Sequence, residues 1–255
     1  MSLESYVTGL MKEPSPKGMD RLVLSGLSQL EKMYFSQVEK KRTADMAAAV
    51  SAHVPVISVG NITAGGTGKT PCILMLAELF FSIGKKPAII SRGYKSGLEK
   101  EGGCVSDGRS ILVSQQMAGD EPYMMARKLP SVPIFIGKDR IASVRRAEEM
   151  GVGILLLDDG FQYWKLRRDQ DIILIDATNP FGYGHGLPRG LLREPLDALS
   201  RASLFILTKS DQVHLTDLME SREELARLAP GGPVLSSTHA PSKVVPDEKW
   251  RACRQ

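Results

Sequence analysis

A glycine-rich turn between an apolar run and an apolar helical segment is the feature that most constrains this fold. The run at 54–59 leads into a turn that contains Gly65, Gly66, Thr67, Gly68, Lys69 and Thr70. Backbone N–H groups of such a turn can point at phosphate oxygens, and the N-terminus of the next helix adds partial positive charge. Lys69 would then contact the β- and γ-phosphates of a nucleotide, and the Thr70 hydroxyl would bind Mg²⁺.

The turn departs from the strict phosphate-loop pattern at one position. Thr63 stands where the pattern has its first glycine, and two glycines lie inside the loop instead. A glycine-rich turn that binds no nucleotide is the alternative interpretation. The Gly-Lys-Thr triplet at the junction of strand and helix favours phosphate binding.

Short apolar runs alternate with helical segments through most of the chain. Strands are predicted at 54–59, 87–90, 132–136, 154–157, 172–175 and 204–207, and helices at 70–83, 121–129, 138–150 and 217–229. The runs are continuous and rich in β-branched residues and leucine, which is typical of strands buried on both faces. The pattern predicts an α/β fold, a P-loop NTPase-like, mostly parallel sheet with helices on both faces.

Composition narrows the classes of function. The 255 residues are 42% hydrophobic and 24% charged, which is ordinary for a globular protein, and the net charge of +4 is too small to favour nucleic acid as a partner. Three cysteines without a C-x-x-C pair predict neither a disulfide framework nor a zinc site, and a reducing cytoplasm fits. No run reaches the roughly 18 apolar residues of a spanning helix, so we expect neither a secreted nor a membrane-spanning protein.

Two adjacent carboxylates, Asp158 and Asp159, follow the apolar run at 154–157. Open α/β sheets bind their ligands at the carboxyl ends of strands, where an aspartate can hold Mg²⁺ directly or through water. Acidic residues also end strands as turn formers or helix caps. In a chain that also has a phosphate loop, the pair is predicted to be a metal site.

Two further polar positions flank predicted elements near this edge. Asp120 opens a helix, where it is either an N-cap or the carboxylate that orients or deprotonates an attacking hydroxyl. Arg92 follows the strand at 87–90 and is either an anion ligand or half of a surface ion pair. Lys138, Asp139 and Arg140, at the start of another helix, admit the same two interpretations.

The glycine- and proline-rich loop at 181–195 is too irregular for a helix or a strand. Long loops of this kind are mobile linkers or parts of a site. Arg189 and Arg193 could grip a phosphorylated substrate through bidentate hydrogen bonds.

Three segments are expected along the chain. Residues 1–52 would form a loose leader to about residue 18 and then an amphipathic helix, 53–232 the core, and 233–255 the start of a truncated second lobe. The helix at about 20–42 is either docked on the core or lies in a membrane interface. Its basic end, Lys40, Lys41 and Arg42, slightly favours an anionic lipid surface.

Taken together, these motifs resemble the tetraacyldisaccharide 4′-kinase family of lipid A biosynthesis. The matching blocks are 54–62, 65–71, 91–94, 119–122, 158–162 and 192–195, in the family's order and spacing. The resemblance implies transfer of the γ-phosphoryl group of ATP to the 4′-hydroxyl of an acylated glucosamine disaccharide 1-phosphate. It also implies a peripheral position at the cytoplasmic face of the bacterial inner membrane, anchored by the N-terminal helix. A monomer is expected.

The resemblance also assigns residues. Lys69 and Thr70 match the nucleotide and Mg²⁺ residues, Asp120 matches the catalytic aspartate, and Asp158 and Asp159 match the metal pair. With Lys69 and Arg92, Asp120 makes up the predicted catalytic set.

Two features depart from the family pattern. The loop at 181–190 differs from the usual Gly-Asn-Gly and Leu-Pro-Ala-Gly stretches. Family members also continue into a second lobe with a Phe-x-Asp-His-His segment, which His239 does not match.

Two other hypotheses remain open. Thr208, Lys209, Ser210 and Asp211 look like the guanine-binding element of a GTPase-like switch or metallochaperone. A non-catalytic remnant that binds only nucleotide or membrane is the third interpretation.

Overall fold

One sheet of eight strands organises the computed structural model, which describes residues 3–13, 17–238 and 240. The strands are β1 Val56–Gly60, β2 Pro87–Ser91, β3 Gly103–Asp107, β4 Pro133–Ile136, β5 Ile154–Asp158, β6 Gln170–Asp176, β7 Leu204–Thr208 and β8 Val234–Ser236. The helices are α1 Leu3–Lys12, α2 Met19–Ala47, α3 Lys69–Ser82, α4 Gln115–Ala118, α5 Asp120–Lys128, α6 Arg140–Glu149 and α7 Leu215–Leu228.

The strand order is β3-β4-β2-β5-β1-β6-β7-β8. Every neighbouring pair is parallel except β3 and β4, which run antiparallel. This confirms the α/β class and all six strands predicted from the apolar runs. The sequence did not predict the edge strands β3 and β8, which are short and only partly buried.

The central strands are buried on both faces, as their continuous apolar runs indicated. In β5, Leu156 belongs to the core on one face, whereas Leu155 and Leu157 belong to the core on the other. Ile73 of α3 and Met125 of α5 pack into the first of these cores. Helix α6 packs into the second, so helices cover both faces.

Because β1, β2 and β5 are adjacent and parallel, their carboxyl ends meet at one edge of the sheet. Val59 of β1 lies in register with Asp158 of β5. The last residue of β2 is Ser91, which ends at the same edge. The fold therefore gathers the phosphate loop and the acidic pair, which the sequence separates by about ninety residues.

Both ends of the described chain differ from expectation. The prediction of a loose leader is wrong for Leu3–Lys12, which is α1, and the following helix is longer than predicted, at Met19–Ala47. Strand β8 joins the main sheet, so the boundary predicted at residue 232 is too early for the core. His239 and 241–255 lie outside the described residues. None of the helices described here has the length and apolar character needed to cross a bilayer.

Candidate active site

A cavity of about 750 Å³ lies at the carboxyl edge of the central strands. It is lined by residues from the phosphate loop, the segment after β2, the start of α5 and the end of β5. These are Gly65 to Pro71, Ser91 to Tyr94, Glu121, Pro122, Arg140, Asp158, Asp159 and Arg193. Ten of the twelve predicted site residues line this one cavity, whereas Asp120 and Arg189 do not.

The phosphate loop has the backbone that its glycines predict. Gly68 has a φ of 87°, in the left-handed region, and is the residue from which α3 begins. Gly65, with a φ of 124°, also needs a conformation that other residues rarely adopt. The loop therefore turns sharply into a helix N-terminus, which is a favourable environment for an anion.

Lys69, the first residue of α3, is held inside the cavity by two oxygens. Its ammonium nitrogen Nζ donates to Asn61 Oδ1 at 3.2 Å and lies 3.6 Å from Asp159 Oδ1. Asn61 is fully buried and donates from Nδ2 to the carbonyl of Thr63 at 2.6 Å. The lysine is thus placed before any phosphate arrives.

The two carboxylates at the end of β5 have different surroundings. Asp158 is buried, and Oδ2 accepts a hydrogen bond from Ser91 Oγ at 2.9 Å. Burial raises the pKa of Asp158, the serine hydrogen bond opposes that shift, and the neighbouring Asp159 adds to it. A buried carboxylate of this kind gains from a cation.

Asp159 faces cations. Both of its oxygens lie 2.9 Å from Nη1 of Arg193, and Lys69 is the second positive group nearby. Burial by itself raises the pKa of Asp159, but Lys69 and Arg193 outweigh it and hold the pKa below its usual value. Its backbone carbonyl accepts from Nη1 of buried Arg140 at 3.0 Å.

Close packing fixes the turn that carries these aspartates. A Cβ atom on Gly160 would lie 2.6 Å from Ser58 Oγ, and one on Gly60 would lie 2.6 Å from Cβ of Phe161. A larger residue at either point would force neighbouring atoms to shift, because contacts this short do not occur for real Cβ atoms. The Asp-Asp-Gly-Phe-Gln segment and the base of the phosphate loop are therefore in direct contact.

A buried polar network supports the same turn from below. Gln162 donates from Nε2 to the carbonyl of Asn61 at 3.1 Å and to Glu194 Oε1 at 3.0 Å. Glu194 is 1% exposed and also accepts from Arg201 at 2.7 Å. The guanidinium of Arg201 lies 4.4 Å from the ring centre of Phe161. The sequence did not predict that Glu194 and Arg201 support the site, because their partners Gln162 and Phe161 lie far from them in the chain.

Asp120 does not line the cavity. It is the first residue of α5, it is exposed, and its Oδ1 accepts from Gln115 Nε2 at 2.8 Å. The N-cap interpretation is wrong, because Gly119 holds the cap position. The cavity is lined instead by the next residue, Glu121, which the sequence did not single out although it lies in the same block.

Arg92 lines the cavity but is paired with another side chain. Its Nε donates to Glu99 Oε1 at 2.7 Å, and its guanidinium lies 5.4 Å from the ring centre of Tyr94. The ion-pair interpretation is therefore observed, and the position at the cavity wall leaves the anion-binding prediction untested.

The two arginines of the loop at 181–195 are separated by the fold. Arg193 reaches the cavity, where it pairs with Asp159. Arg189 instead donates from Nη1 to Ser28 of α2 at 2.8 Å, beside a different cavity lined by Leu10 and Tyr183. The prediction that both arginines grip one substrate is not supported, because only Arg193 is at the carboxyl edge of the central strands.

A second, cationic cavity of about 800 Å³ adjoins the first. The two share Arg92, Arg140, Asp159 and Arg193. The rest of its wall includes four lysines and three aromatic side chains. They are Lys41, Lys100, Lys138, Lys165, Tyr34, Tyr163 and Trp164. Asp139, predicted with Lys138 as a possible anion site, caps α6 by accepting from the N–H groups of Ile141 and Ala142.

The segment 208–211, which looks like the guanine-binding element of a GTPase, makes contacts within the protein. Thr208 donates from its hydroxyl to the carbonyl of Thr67 in the phosphate loop at 3.1 Å. Lys209 forms an ion pair with Asp176, and Ser210 donates to the carbonyl of Ser237 at 3.0 Å. This element buttresses the loop from the side of β7.

The sheet is mostly parallel, and its glycine-rich turn, lysine and paired aspartates meet at its carboxyl edge. These features define the class of P-loop nucleotide-binding proteins. Within that class the chain belongs to the LpxK family, tetraacyldisaccharide-1-P 4′-kinase, which matches residues 21–252.

Named relatives agree with this assignment. The chain is 42% identical over 241 residues to a tetraacyldisaccharide 4′-kinase of Halothermothrix orenii, covering 92% of this chain and 62% of the relative. A relative from Desulfatibacillum aliphaticivorans is 48% identical over 187 residues, covering 73% of this chain and 48% of its own length. This chain thus spans about half to two thirds of these relatives.

A solved structure has the same fold. The crystal structure of "apo" form LpxK from Aquifex aeolicus in complex with ATP superposes with a TM-score of 0.67 at 29% sequence identity. The superposition covers 89% of this chain and 86% of that one.

Proposed function

We propose that this chain transfers the γ-phosphoryl group of ATP to the 4′-hydroxyl of a tetraacylated glucosamine disaccharide 1-phosphate. One observation carries the proposal: the phosphate loop, Lys69, Asp158, Asp159 and Arg193 line a single cavity at the carboxyl edge of the sheet. The family assignment and the ATP in the crystal structure of the Aquifex aeolicus relative support it.

The residues present fit Mg²⁺. Thr70 lies at the cavity beside the loop, and Asp158 keeps one carboxylate oxygen for a cation while Ser91 binds the other. Hydroxyl and carboxylate oxygens are the donors that Mg²⁺ prefers, with phosphate and water oxygens completing the shell. Asp159, the third predicted ligand, is turned toward Lys69 and Arg193. When bound, the ion would neutralise charge on the phosphates.

The chain's own residues then have separate functions in the proposed reaction. The loop N–H groups and Lys69 hold the β- and γ-phosphates, and Asp159 holds Lys69 and Arg193 in place. Asp120 is proposed to accept the proton of the attacking hydroxyl, which requires its side chain to leave Gln115 and turn into the cavity. The adjoining cationic cavity is proposed to take the sugar-phosphate acceptor.

A peripheral position on an anionic membrane surface at the cytoplasmic face is also proposed. Met19, Leu22, Leu30 and Met33 are between 50% and 72% exposed. Their spacing places them on one side of α2, which is the arrangement of an interfacial helix. Flotation with anionic vesicles tests this: replacement of Leu22 and Met33 by serine should reduce the bound fraction. The chain is proposed to act as a monomer, which light scattering would check.

The decisive experiment measures phosphate transfer from γ-labelled ATP to the acylated disaccharide 1-phosphate in mixed micelles. Labelled lipid from the wild type and about 10²- to 10³-fold slower labelling by Lys69→Ala is the expected result. ATP consumption without lipid would contradict the proposed acceptor. Tight GTP binding without lipid-dependent turnover would favour the GTPase-like alternative, and ATP binding without any turnover would favour the non-catalytic remnant.

A further inference from the structure

The segment 182–193, called the bridging segment below, runs alongside the phosphate loop. The N–H of Ala64 donates to the carbonyl of Leu191 at 2.7 Å, and the N–H of Arg193 donates to the carbonyl of Ile62 at 2.7 Å. These are short backbone hydrogen bonds in an antiparallel bridge. The first half of the phosphate loop is therefore held by the bridging segment as well as by the sheet.

The opposite side of the bridging segment contacts α2. The N–H of Gly186 donates to Glu31 Oε1 at 2.6 Å, and the hydroxyl of Tyr34 donates to the carbonyl of Arg193 at 3.0 Å. The ring of Phe35 packs so closely that a Cβ atom at Gly186 would lie 2.2 Å from it. Helix α2 and the phosphate loop thus sandwich one stretch of backbone.

These contacts are partly shielded from water. The side chain of Glu31 is 12% exposed, and partial burial raises the pKa of the Tyr34 phenol. Shielded hydrogen bonds to backbone are costly to lose, because the abandoned partner must find water or stay unpaired. Tyr34 holds the backbone of the same residue, Arg193, whose side chain pairs with Asp159.

We propose that Tyr34 and Glu31 are positioning residues of the active site: α2 fixes the bridging segment, and the bridging segment fixes the phosphate loop and Arg193. The N-terminal helix is then a structural part of the nucleotide site as well as a surface that faces outward. The kinetic consequence rests on the proposed function, whereas the structural coupling does not.

The first experiment compares Tyr34→Phe with Tyr6→Phe. Both variants lose one phenol hydroxyl, but the hydroxyl of Tyr6 donates to Asp20, in a hydrogen bond between α1 and α2 that does not involve the bridging segment. In Tyr34→Phe we expect backbone hydrogen exchange at 62–64 and 182–193 to be about fivefold faster, the factor for one lost hydrogen bond. Tyr6→Phe should leave exchange there unchanged. Equal exchange in wild type and Tyr34→Phe would overturn the assignment of Tyr34.

The second experiment uses a conservative replacement. Glu31→Gln keeps an oxygen that can accept from Gly186, whereas Glu31→Ala removes it. We expect the alanine variant to show the faster exchange and the glutamine variant to restore most of the protection. Loss of protection in both variants to the same degree would show that charge, not the backbone contact, matters, and would overturn this assignment of Glu31.

Kinetic measurements distinguish a positioning role of Tyr34 from a role in stability or membrane binding. Because small displacements of catalytic groups reduce rates strongly, kcat of Tyr34→Phe should fall about tenfold or more. The fraction bound to anionic vesicles should stay at the wild-type value. A fall in vesicle binding with unchanged kcat would contradict the proposal. Hydrogen exchange is measured without acceptor and does not depend on catalysis. A wild-type protein that transfers no phosphate would therefore overturn the proposed function but not the positioning role of Tyr34 and Glu31.

Discussion

The end of β5 and the start of α5 both carry acidic residues predicted for one site, yet the fold treats them differently. Asp158 accepts a hydrogen bond from Ser91, and Asp159 forms ion pairs with Lys69 and Arg193. Asp120 is exposed, and its partner is the side-chain amide of Gln115.

The two regions differ in how firmly their carboxylates are held by neighbouring groups. A carboxylate surrounded by buried or paired groups is preorganised, which suits it to holding cations in place. A general base must come within hydrogen-bond reach of the proton that it takes, and an exposed side chain can still turn to reach it. We therefore predict electrostatic organisation at the end of β5 and, as in the proposed function, proton transfer at the start of α5.

Asp120→Asn tests this assignment with the largest expected effect. A general base contributes about 10²- to 10⁴-fold to rate, so kcat should fall within that range while ATP affinity stays near the wild-type value. Single-turnover phosphate transfer and equilibrium binding of ATP give the two quantities. Gln115→Ala is the matched control, because it frees Asp120 without removing it and should keep most of the activity. Loss of ATP affinity in Asp120→Asn would show that Asp120 also holds the nucleotide, and the two regions would then not differ in function.

Lys69→Ala tests the other region, with a somewhat smaller expected effect on chemistry and a large one on binding. Removing one preorganised donor from a developing charge typically costs about 10²- to 10³-fold in rate. Unlike Asp120→Asn, this variant should also bind ATP more weakly, which isothermal titration would measure. Thr70→Ala should show the same pattern with a steeper dependence on Mg²⁺. An unchanged ATP affinity in Lys69→Ala would remove the phosphate loop from the proposed site.

Much of this fold could be predicted from the sequence, because the signals were local. Continuous apolar runs such as 154–157 indicate strands buried on both faces, and glycine spacing at 65–68 indicates the loop backbone. The position of Asp158 at a strand end followed from the run that precedes it. Family resemblance added the predicted acceptor, which no local pattern encodes.

The unpredicted features depend on contacts between distant residues. The pairing of Arg193 with Asp159 joins residues 34 positions apart, and the separation of Arg189 from that site follows from its contact with Ser28. Strand β8 was not predicted, because three partly exposed residues give no periodic signal. The exposure of Asp120 could not be predicted either, since a helix start can face a cavity or solvent.

The paired aspartates should respond oppositely to substitution, by a few kcal/mol or less. Asp159→Asn removes the partner of Lys69 and Arg193, and since the side chain is 35% exposed we expect a loss of about 1–2 kcal/mol in unfolding free energy. Asp158→Asn removes a buried charge and keeps an oxygen for Ser91, so its unfolding free energy at neutral pH should rise. Thermal unfolding with a chelator present, and hence without Mg²⁺, measures both.

The two aspartates should also differ in how their contributions to the free energy of unfolding depend on pH. The pKa of Asp159 is lowered in the fold, so its stabilisation is present above the ordinary aspartate pKa and is lost as pH falls through the folded value. The pKa of Asp158 is raised, so its penalty develops as pH rises from the ordinary value through the folded one. Asp158→Asn should therefore gain most near neutral pH and least in acid. A gain that is independent of pH would show that the charge of Asp158 is not the cause.

Arg92 lines the same cavity as the end of β5, and Arg92→Ala carries the smallest expected effect on stability. Its guanidinium is half exposed and pairs with Glu99, and such pairs contribute about 0.2–1 kcal/mol. A stability loss of that size together with unchanged phosphate transfer would make Arg92 only a surface ion pair. A weaker acceptor interaction, seen as a raised KM for the disaccharide phosphate with stability nearly intact, would place Arg92 in substrate binding. Glu99→Gln is the matched control: it breaks the same pair but leaves the guanidinium at the cavity wall, so it should lower stability equally and spare the acceptor KM.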